Sequence, residues 1–317
     1  MERMRIIVNN NYRPGAAGLS GLKAAPFGPI FPSIPARRET ENAMSDQAFT
    51  LTDWIARFGQ AEIPVLRHSA RELERLRAEN GLLNARTVAG VVTDDPLMTV
   101  RLLRHLQRHK GAQQRHELVD VKQALLMMGL EAFFRDLPAQ PVAEDMLFGH
   151  PEALLHLLRT VRRAQRSACY AFDWALRLHD LHAEEVQVSA LLTHFAEMLM
   201  WCFNPGPMLA IRRRQSADPG LRSADAQRQV LGFSGAALQR QLAVEWRLPE
   251  LLLNLLDPAQ SGSTRVRNVA LAVNLARHSA QGWDNPALPD DYRDIGALLR
   301  MPPERVRALV MQAAEAG

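Results

Sequence analysis

The amino-acid sequence predicts an all-α fold. Apolar residues recur at the 3.6-residue period of a helix in one segment after another, and no segment alternates as a strand does. Helix-starting and helix-ending residues bound these segments. The chain has 317 residues, of which 47% are apolar and 23% charged. That composition provides enough apolar surface for a sizeable core.

The first part of the chain differs from the rest. Residues 1–48 are rich in Pro, Gly and Asn, and we predict that they form a disordered leader. Met44 opens the segment MSDQAFTLTDWIARFG and resembles a translation start. We therefore expect the residues before it to have no folded role.

Residues 49–140 are predicted to form a smaller, N-terminal helical subdomain. Within it, DDPLMTVRLLRHLQRH has Asp94 or Asp95 as its predicted N-cap and Pro96 in its first turn. The segment ELVDVKQALLMMGL is expected to end its helix at Gly129.

A larger helical bundle is predicted for residues 150–260, followed by a C-terminal helical extension over 261–317. The segment 137–149, LPAQPVAEDMLFG, carries two prolines and a glycine and is interpreted as the junction between the halves. A long helix from 151 to about 178 has one apolar face. The segment AEEVQVSALLTHFAEMLMWCF is predicted to be a buried helix.

Composition and charge limit the possible classes of function. The net charge is +4, and all but three of the 38 basic residues are arginine, which we interpret as a compositional bias and not as a nucleic-acid signature. Cys169 and Cys202 lie in apolar helical contexts and are predicted to be core residues of a protein from a reducing cytoplasm. We find no apolar run that approaches the ~18 residues of a membrane span, so we predict none.

Five segments that follow one another over residues 58–257 carry a family resemblance: IPVLRHSARELERL, VVTDDPLMTVRLLRHL, VDVKQALLMMGLEAF, EVQVSALLTHFAEML and QVLGFSGAALQRQLAVEWRLPELLLNLL. The series resembles the HDOD domain, a bacterial relative of the HD phosphohydrolases and of the HD-GYP cyclic-dinucleotide phosphodiesterases. Its most specific parts are Asp95–Pro96 with the following Leu-rich helix, QALLMMGL, and LGF followed by EWRLP. The resemblance implies an HD-like multi-helix bundle with the smaller N-terminal subdomain.

The resemblance also indicates where a catalytic HD protein would hold its metal ions. There, His and Asp side chains converge on one or two ions that activate a water molecule. None of the corresponding residues here is the expected ligand, so we expect no metal, no cofactor and no catalysis, as in HDOD proteins as a class. These positions, the degenerate HD site, are Arg166, Thr193, His194, Asn274 and Gly235, with Asp257 and Pro258 in place of a closing His pair.

Several histidines invite a metal-site interpretation that we do not favour. His194 is expected to be a buried or half-buried residue that is hydrogen-bonded to a helix neighbour, with Glu197 available as a local polar partner. The literal His179–Asp180 pair lies at a helix end, where Asp180 or His182 is expected to act as a cap or turn residue.

His105 and His109 have the i, i+4 spacing of a zinc site. Their neighbours are strongly cationic, which lowers the affinity for a metal ion. We therefore predict a solvated basic face, made by Arg101, Arg104, Arg108, Lys110 and Arg115.

Two arginine clusters are candidates for anion binding. One contains Arg162, Arg163 and Arg166, and the other Arg212, Arg213 and Arg214. If the clusters converge, they form a face for a nucleotide, RNA or an acidic partner. The alternative, which we favour, is an ordinary solvated helix surface.

We therefore predict a non-catalytic signal-transduction protein of the bacterial cytoplasm, which binds a partner protein or a small anionic ligand and neither a membrane nor nucleic acid. The junction at 137–149 is a candidate docking cleft, with Phe148 and Met146 as exposed apolar contacts. Two alternatives remain open. One is an HD-superfamily phosphohydrolase with rearranged ligands, acting on a nucleotide or cyclic dinucleotide. The other is an RNA- or DNA-binding regulator that uses the arginine clusters.

Overall fold

The computed structural model describes residues 49–78, 84–109, 120–218, 220–255 and 257–315. The predicted leader, residues 1–48, lies outside this range. The all-α prediction is confirmed: the described ranges contain helices and no β-strand, with one isolated bridge between Val65 and Val142. The helices are α1 (Leu51–Gln60), α2 (Arg67–Ala78), α3 (Ala85–Asp94), α4 (Pro96–Arg108), α5 (Val121–Met128), α6 (Leu130–Asp136), α7 (Ala143–Met146), α8 (Pro151–Arg177), α9 (Ala183–Leu191), α10 (Phe195–Phe203), α11 (Pro205–Ala217), α12 (Ser223–Leu231), α13 (Gly235–Glu245), α14 (Glu250–Asn254), α15 (Thr264–His278), α16 (Leu288–Leu299) and α17 (Pro303–Glu315).

The long helix α8 is the centre of the fold. It packs against α9, α10 and α15, and its apolar face buries residues such as Leu157, Ala164 and Trp174. The described residues from 49 to 310 form one compact unit. The proposed subdomain boundaries near 140 and 260 stay predictions.

The Asp95–Pro96 motif is a buried helix start. Asp95 is the N-cap of α4, where its Oδ1 accepts hydrogen bonds from the backbone N–H groups of Leu97 and Met98 at 2.9 and 3.0 Å. Its Oδ2 accepts a third, at 2.8 Å, from the N–H of Leu66 just before α2. One fully buried carboxylate therefore joins the starts of two helices.

The predicted solvated basic face on α4 is wrong for its two central arginines, because Arg101 and Arg104 are 5% and 7% exposed. Arg104 donates to the carbonyl oxygens of Phe58 and Ala61, both at 2.9 Å, at the C-terminal end of α1. Arg101 donates to the carbonyl of Ile63 at 3.2 Å. Guanidinium groups are well placed there, since the last carbonyls of a helix lack intrahelical partners and carry its negative dipole end.

The predictions for the other basic residues near α4 and for the two cysteines have different outcomes. Lys110 and Arg115 lie outside the described residues. Arg108 donates to the carbonyl of Gly59. Cys202 is buried as predicted, whereas Cys169 is exposed.

The predicted buried helix at 183–203 is buried but not continuous. It divides into α9 and α10, with a turn at Leu192, Thr193 and His194. By length and composition this stretch can span a membrane, contrary to the sequence prediction, but 72% of its apolar window is buried inside the protein. Such burial is typical of the core helix of a soluble protein.

Candidate functional site

A buried glutamine on α13 opens the turn that holds Thr193 and His194. In a continuous helix the N–H of Ala196 would bond to the carbonyl of Leu192. Here the N–H of Ala196 donates to Gln239 Oε1 at 3.0 Å, and Gln239 Nε2 donates to the Leu192 carbonyl at 2.8 Å. The side-chain amide is thus inserted into the helical ladder, a recognised cause of a helix break.

The break places His194 before the first turn of α10, half-buried. No hydrogen bond from another described residue reaches its ring, although its backbone carbonyl accepts from Met198. Burial lowers the pKa of His194 below its ordinary value; the carboxylate of Glu197 opposes this shift, and the charges of Arg163 and Arg277 reinforce it. The ring is therefore neutral near pH 7, with one N–H donor and one acceptor nitrogen.

Glu197 does not form the predicted hydrogen-bonded pair with His194. Its Oε1 accepts from Thr160 Oγ1 and from Trp201 Nε1, both at 3.3 Å. Arg163 approaches the same oxygen at 3.7 Å, beyond hydrogen-bond range. The one carboxylate beside His194 is thus already engaged in holding α8 to α10.

Arg163 on α8 is only partly satisfied. Its Nη2 donates to Thr160 Oγ1 at 3.2 Å, but its Nε is buried and has no hydrogen-bond partner among the described residues. Buried polar atoms are nearly always paired, so an unpaired guanidinium nitrogen beside an unpaired imidazole marks a place where a ligand can supply the missing acceptor.

Asn274 and Arg277 bring α15 to the same place. Arg277 Nη2 donates to Asn274 Oδ1 at 3.2 Å and lies 3.1 Å from His278 Nε2. His278 Nδ1 in turn lies 2.7 Å from Asp291 Oδ2. This chain of contacts fixes the Arg277 side chain, and the charge of Arg277 contributes to the lowered pKa of His194. We refer to Arg163, His194, Glu197 and Arg277 as the remnant site.

The other predicted positions are spread around this site. Thr193 bonds back to the carbonyl of Ser189 at 3.0 Å. The N–H of Gly235 donates to Gln227 Oε1 at 2.7 Å. Arg166 points elsewhere: it donates to Tyr170 Oη at 3.3 Å and to the Ser279 carbonyl at 3.4 Å. The positive charge beside His194 therefore comes from Arg163 and Arg277 and not from Arg166.

One arginine of the second cluster lies close to α8, beside Arg159, which belongs to neither cluster. Arg212 on α11 and Arg159 on α8 both act on His156 and lower its pKa, after the larger effect of burial. The His156 ring stacks on Trp201, with centroids 5.0 Å apart. Of the remaining predicted arginines, Arg162, Arg213 and Arg214 are exposed, and Arg214 donates to Gln229 Oε1 at 3.2 Å.

The literal His179–Asp180 pair is structural. Asp180 Oδ1 accepts from the N–H of His182 at 2.9 Å, the turn role that was predicted. Both carboxylate oxygens also receive Arg265, Oδ2 from Nε and Oδ1 from Nη2, at 2.8 Å each. This bidentate pair attaches the start of α15 to the α8–α9 turn.

Of the two junction residues predicted to be exposed, only one is. Phe148 is 89% exposed, whereas Met146 is partly buried against the core. The N–H of Arg67 donates to Glu144 Oε2 at 2.9 Å, so the junction is attached to the start of α2.

The donor set decides what the remnant site can do chemically. A divalent metal site needs several carboxylate or neutral imidazole ligands. Here one imidazole and one engaged carboxylate lie among two guanidinium groups, and the described ranges contain no group of three or more His, Cys, Asp or Glu able to hold a metal. Guanidinium and imidazole N–H groups are instead well suited to a phosphate or carboxylate.

Two contributors were missed in the sequence. Gln239 lies one helical turn after Gly235, and Arg277 lies three residues after Asn274, so helical spacing from the degenerate positions points to both. Nothing in the sequence shows that the Gln239 amide enters the α9–α10 ladder.

Comparison with known proteins gives a family and a fold. The family profile described as HDOD domain matches residues 63–261. No curated protein matches the chain. The MmoQ response regulator from Methylococcus capsulatus str. Bath superposes with a TM-score of 0.60 at 18% identity, over 75% of this chain and 98% of that one. A virulence factor from Campylobacter jejuni subsp. jejuni gives 0.58 at 17% identity, over 79% and 89%. At these identities the likeness concerns the fold.

Proposed function

Because this chain belongs to the HDOD family, we propose that it is a non-catalytic signal-transduction protein of the bacterial cytoplasm. The observation that carries the proposal is the donor set of the remnant site. Two arginines lie around a neutral histidine, in a place where metal-binding chemistry requires carboxylates and further imidazoles. A positive charge close to a bound cation raises its energy, since like charges repel strongly in a partly buried place.

The proposed ligand of the remnant site is a small anion. Arg163 Nε has no hydrogen-bond partner among the described residues, and Arg277 is oriented by Asn274 and His278. An anionic oxygen satisfies these donors, because each is a charged or polar N–H. The negative charge of Glu197 repels an anion. The ligand should therefore be held by Arg163 and Arg277 together, because two positive charges outweigh one negative charge.

The proposed partner surface is the junction. Phe148 lies between α7 and α8 and is 89% exposed. A large, exposed aromatic residue is a typical anchor of protein interfaces. A photo-crosslinker at 148 should capture the signalling partner, and one at Leu181, which is 92% exposed, should not. Crosslinking through 181 alone contradicts this assignment.

Metal content and hydrolysis test the non-catalytic proposal. We expect the full-length protein to contain less than stoichiometric metal and to show no phosphodiesterase turnover with added manganese or iron. Stoichiometric iron, manganese or zinc overturns the proposal. So does turnover that His194→Ala abolishes.

A further inference from the structure

Two contacts join the last part of the chain to the degenerate HD site. The Trp283 ring centre lies 5.8 Å from the Arg166 guanidinium carbon, in cation–π geometry. Asp291 on α16 places its Oδ2 2.7 Å from Nδ1 of His278, the last residue of α15. Both Trp283 and Asp291 lie beyond residue 261, where the family match ends. The second contact leads to the remnant site, because His278 in turn contacts Arg277.

The two neighbours of His278 require one tautomer of its ring. The side chains of Asp291 and His278 are 9% and 21% exposed, so both are largely shielded from water. A carboxylate offers only acceptors, so Nδ1 must supply the hydrogen of the 2.7 Å contact. A guanidinium group offers only donors, so Nε2 must accept from Arg277 Nη2 at 3.1 Å. Both contacts are hydrogen bonds only when the single ring proton is on Nδ1.

The orientation of Arg277 depends on this tautomer. Its Nη2 carries two N–H groups and contacts two acceptors, His278 Nε2 and, at 3.2 Å, Asn274 Oδ1. If the ring proton were on Nε2, an N–H group of the ring would face an N–H group of the guanidinium, and the hydrogen bond would be lost. The partner of one ring nitrogen determines the state of the other. The hydrogen bond that Asp291 accepts therefore determines whether His278 can hold Arg277.

We propose that Asp291 is a positioning residue of the remnant site. It keeps the proton of His278 on Nδ1, so that Nε2 holds the Arg277 guanidinium in a fixed orientation for binding an anion. Asp291 itself does not touch the ligand. The inference rests on the proposed function of the remnant site, and it adds that a helix outside the family match completes that site.

The direction of the change in anion binding tests the proposal. The negative charge of Asp291 repels an anion, so removal of the charge alone should strengthen sulfate binding. If Asp291 positions Arg277, Asp291→Leu should instead weaken sulfate binding to the full-length protein by about tenfold, the size expected for losing a charged hydrogen bond. Asp291→Asn should stay within about twofold of the wild-type affinity, because the amide oxygen can still accept from Nδ1.

Further variants separate positioning from support of the fold. The matched control is Asp290→Leu, the same substitution at the neighbouring, exposed residue, which should leave sulfate binding unchanged. In an Arg277→Gln background, Asp291→Leu should weaken sulfate binding no further, because the group that it positions is absent. If Asp291→Leu does not fold, His278→Phe, which keeps a ring but has no ring nitrogen, should give the same tenfold loss.

NMR spectroscopy detects the tautomer directly. The ring nitrogen shifts of His278 should show a protonated Nδ1 and an unprotonated Nε2 in the wild-type protein and in Asp291→Asn, but not in Asp291→Leu. A proton on Nε2 in the wild-type protein overturns the inference, whatever the sulfate result. So does sulfate binding by Asp291→Leu that equals or exceeds that of the wild-type protein. A wild-type protein that binds no sulfate overturns the proposed anion site, and this inference with it, even where the tautomer is as expected.

Discussion

The α4 region and the remnant site use the same residue types in opposite ways. In the α4 region, Asp95 accepts three backbone hydrogen bonds, and Arg104 donates to two backbone carbonyls. In the remnant site, Arg163 Nε has no partner within the part of the chain that the structure describes, and Glu197 is occupied by Thr160 and Trp201. Polar groups that are fully paired within the protein contribute to the fold, whereas unpaired donors at a half-buried place remain available to a ligand.

The largest expected effect is that of Asp95→Ala. The change leaves three buried backbone N–H groups without an acceptor. Each such loss costs roughly 1–3 kcal/mol, so we expect a total of about 3–5 kcal/mol in the free energy of unfolding near pH 5. The matched control is Asp120→Ala at the N-cap of α5, where a single N–H is capped, at about 1 kcal/mol. Equal costs, measured by urea unfolding, contradict the bridging role of Asp95.

The cost of Asp95→Ala should also depend on pH. Burial raises the pKa of Asp95 from 3.8 to about 6. Between these values the folded state binds the proton more tightly than the unfolded state, so the stability contributed by Asp95 falls as pH rises through 6. From pH 5 to pH 7.5 the cost of the substitution should fall by roughly 1.4 kcal/mol, one pKa unit. A cost that grows over this interval contradicts the raised pKa.

Arg104→Met tests the other half of the α4 region. The substitution keeps an apolar chain of similar length but leaves the carbonyls of Phe58 and Ala61 without their donor. It also removes the cation–π contact with Trp246, at 5.1 Å. We expect a loss of about 3 kcal/mol in the free energy of unfolding. Exposed Arg213→Met is the control and should change stability by less than about 0.5 kcal/mol.

Gln239→Leu links stability to the remnant site. The substitution removes both hydrogen bonds that hold the α9–α10 turn open, at a cost of about 2 kcal/mol. We also expect the ring signals of His194 to shift in NMR spectra, because the turn that carries the ring loses its support. The control is Gln241→Leu, the same substitution at an exposed position of the same helix. It should change neither the stability nor the His194 signals. An unchanged His194 signal in Gln239→Leu shows that the amide does not position the turn.

The smallest expected effect on stability is that of Arg163→Gln. Its contacts are one hydrogen bond and a long ion pair, so the free energy of unfolding should change by less than about 0.5 kcal/mol. Sulfate binding, in contrast, should weaken by about tenfold, the size expected for losing a charged hydrogen bond. The neighbouring, exposed Arg162→Gln should leave both quantities unchanged. A large loss of stability with unchanged sulfate binding would show that Arg163 supports the fold and does not bind the anion.

Local rules predicted much of the fold. The apolar period predicted α8, and the cap preference of Asp together with Pro at the first turn predicted the start of α4. They failed for Arg101 and Arg104, because charge alone does not show that a guanidinium group lies over the end of another helix. They also failed for the α9–α10 break, because Gln239 is separated from His194 by 45 positions in the chain, and a long-range hydrogen bond has no local signature.

The candidate site was predicted in part. Thr193, His194 and Asn274 were identified from the resemblance, and the structure places His194 near α15. Arg163 was named as an anion-binding candidate, but its unpaired Nε depends on how α8 and α10 pack. The direction of Arg166 was not predictable either, since it depends on Tyr170, Ser279 and Trp283 in three dimensions.

The most direct test of the account is the NMR titration of the His194 ring in the full-length protein, with sulfate and with manganese as separate additions. We predict that the ring titrates below its ordinary pKa, that sulfate raises this pKa because a bound anion stabilises the imidazolium form, and that Arg163→Gln removes the sulfate effect. Manganese should leave the ring signals unbroadened. Broadening by stoichiometric manganese, with no response to sulfate, would contradict the assignment of the remnant site as a non-catalytic anion site.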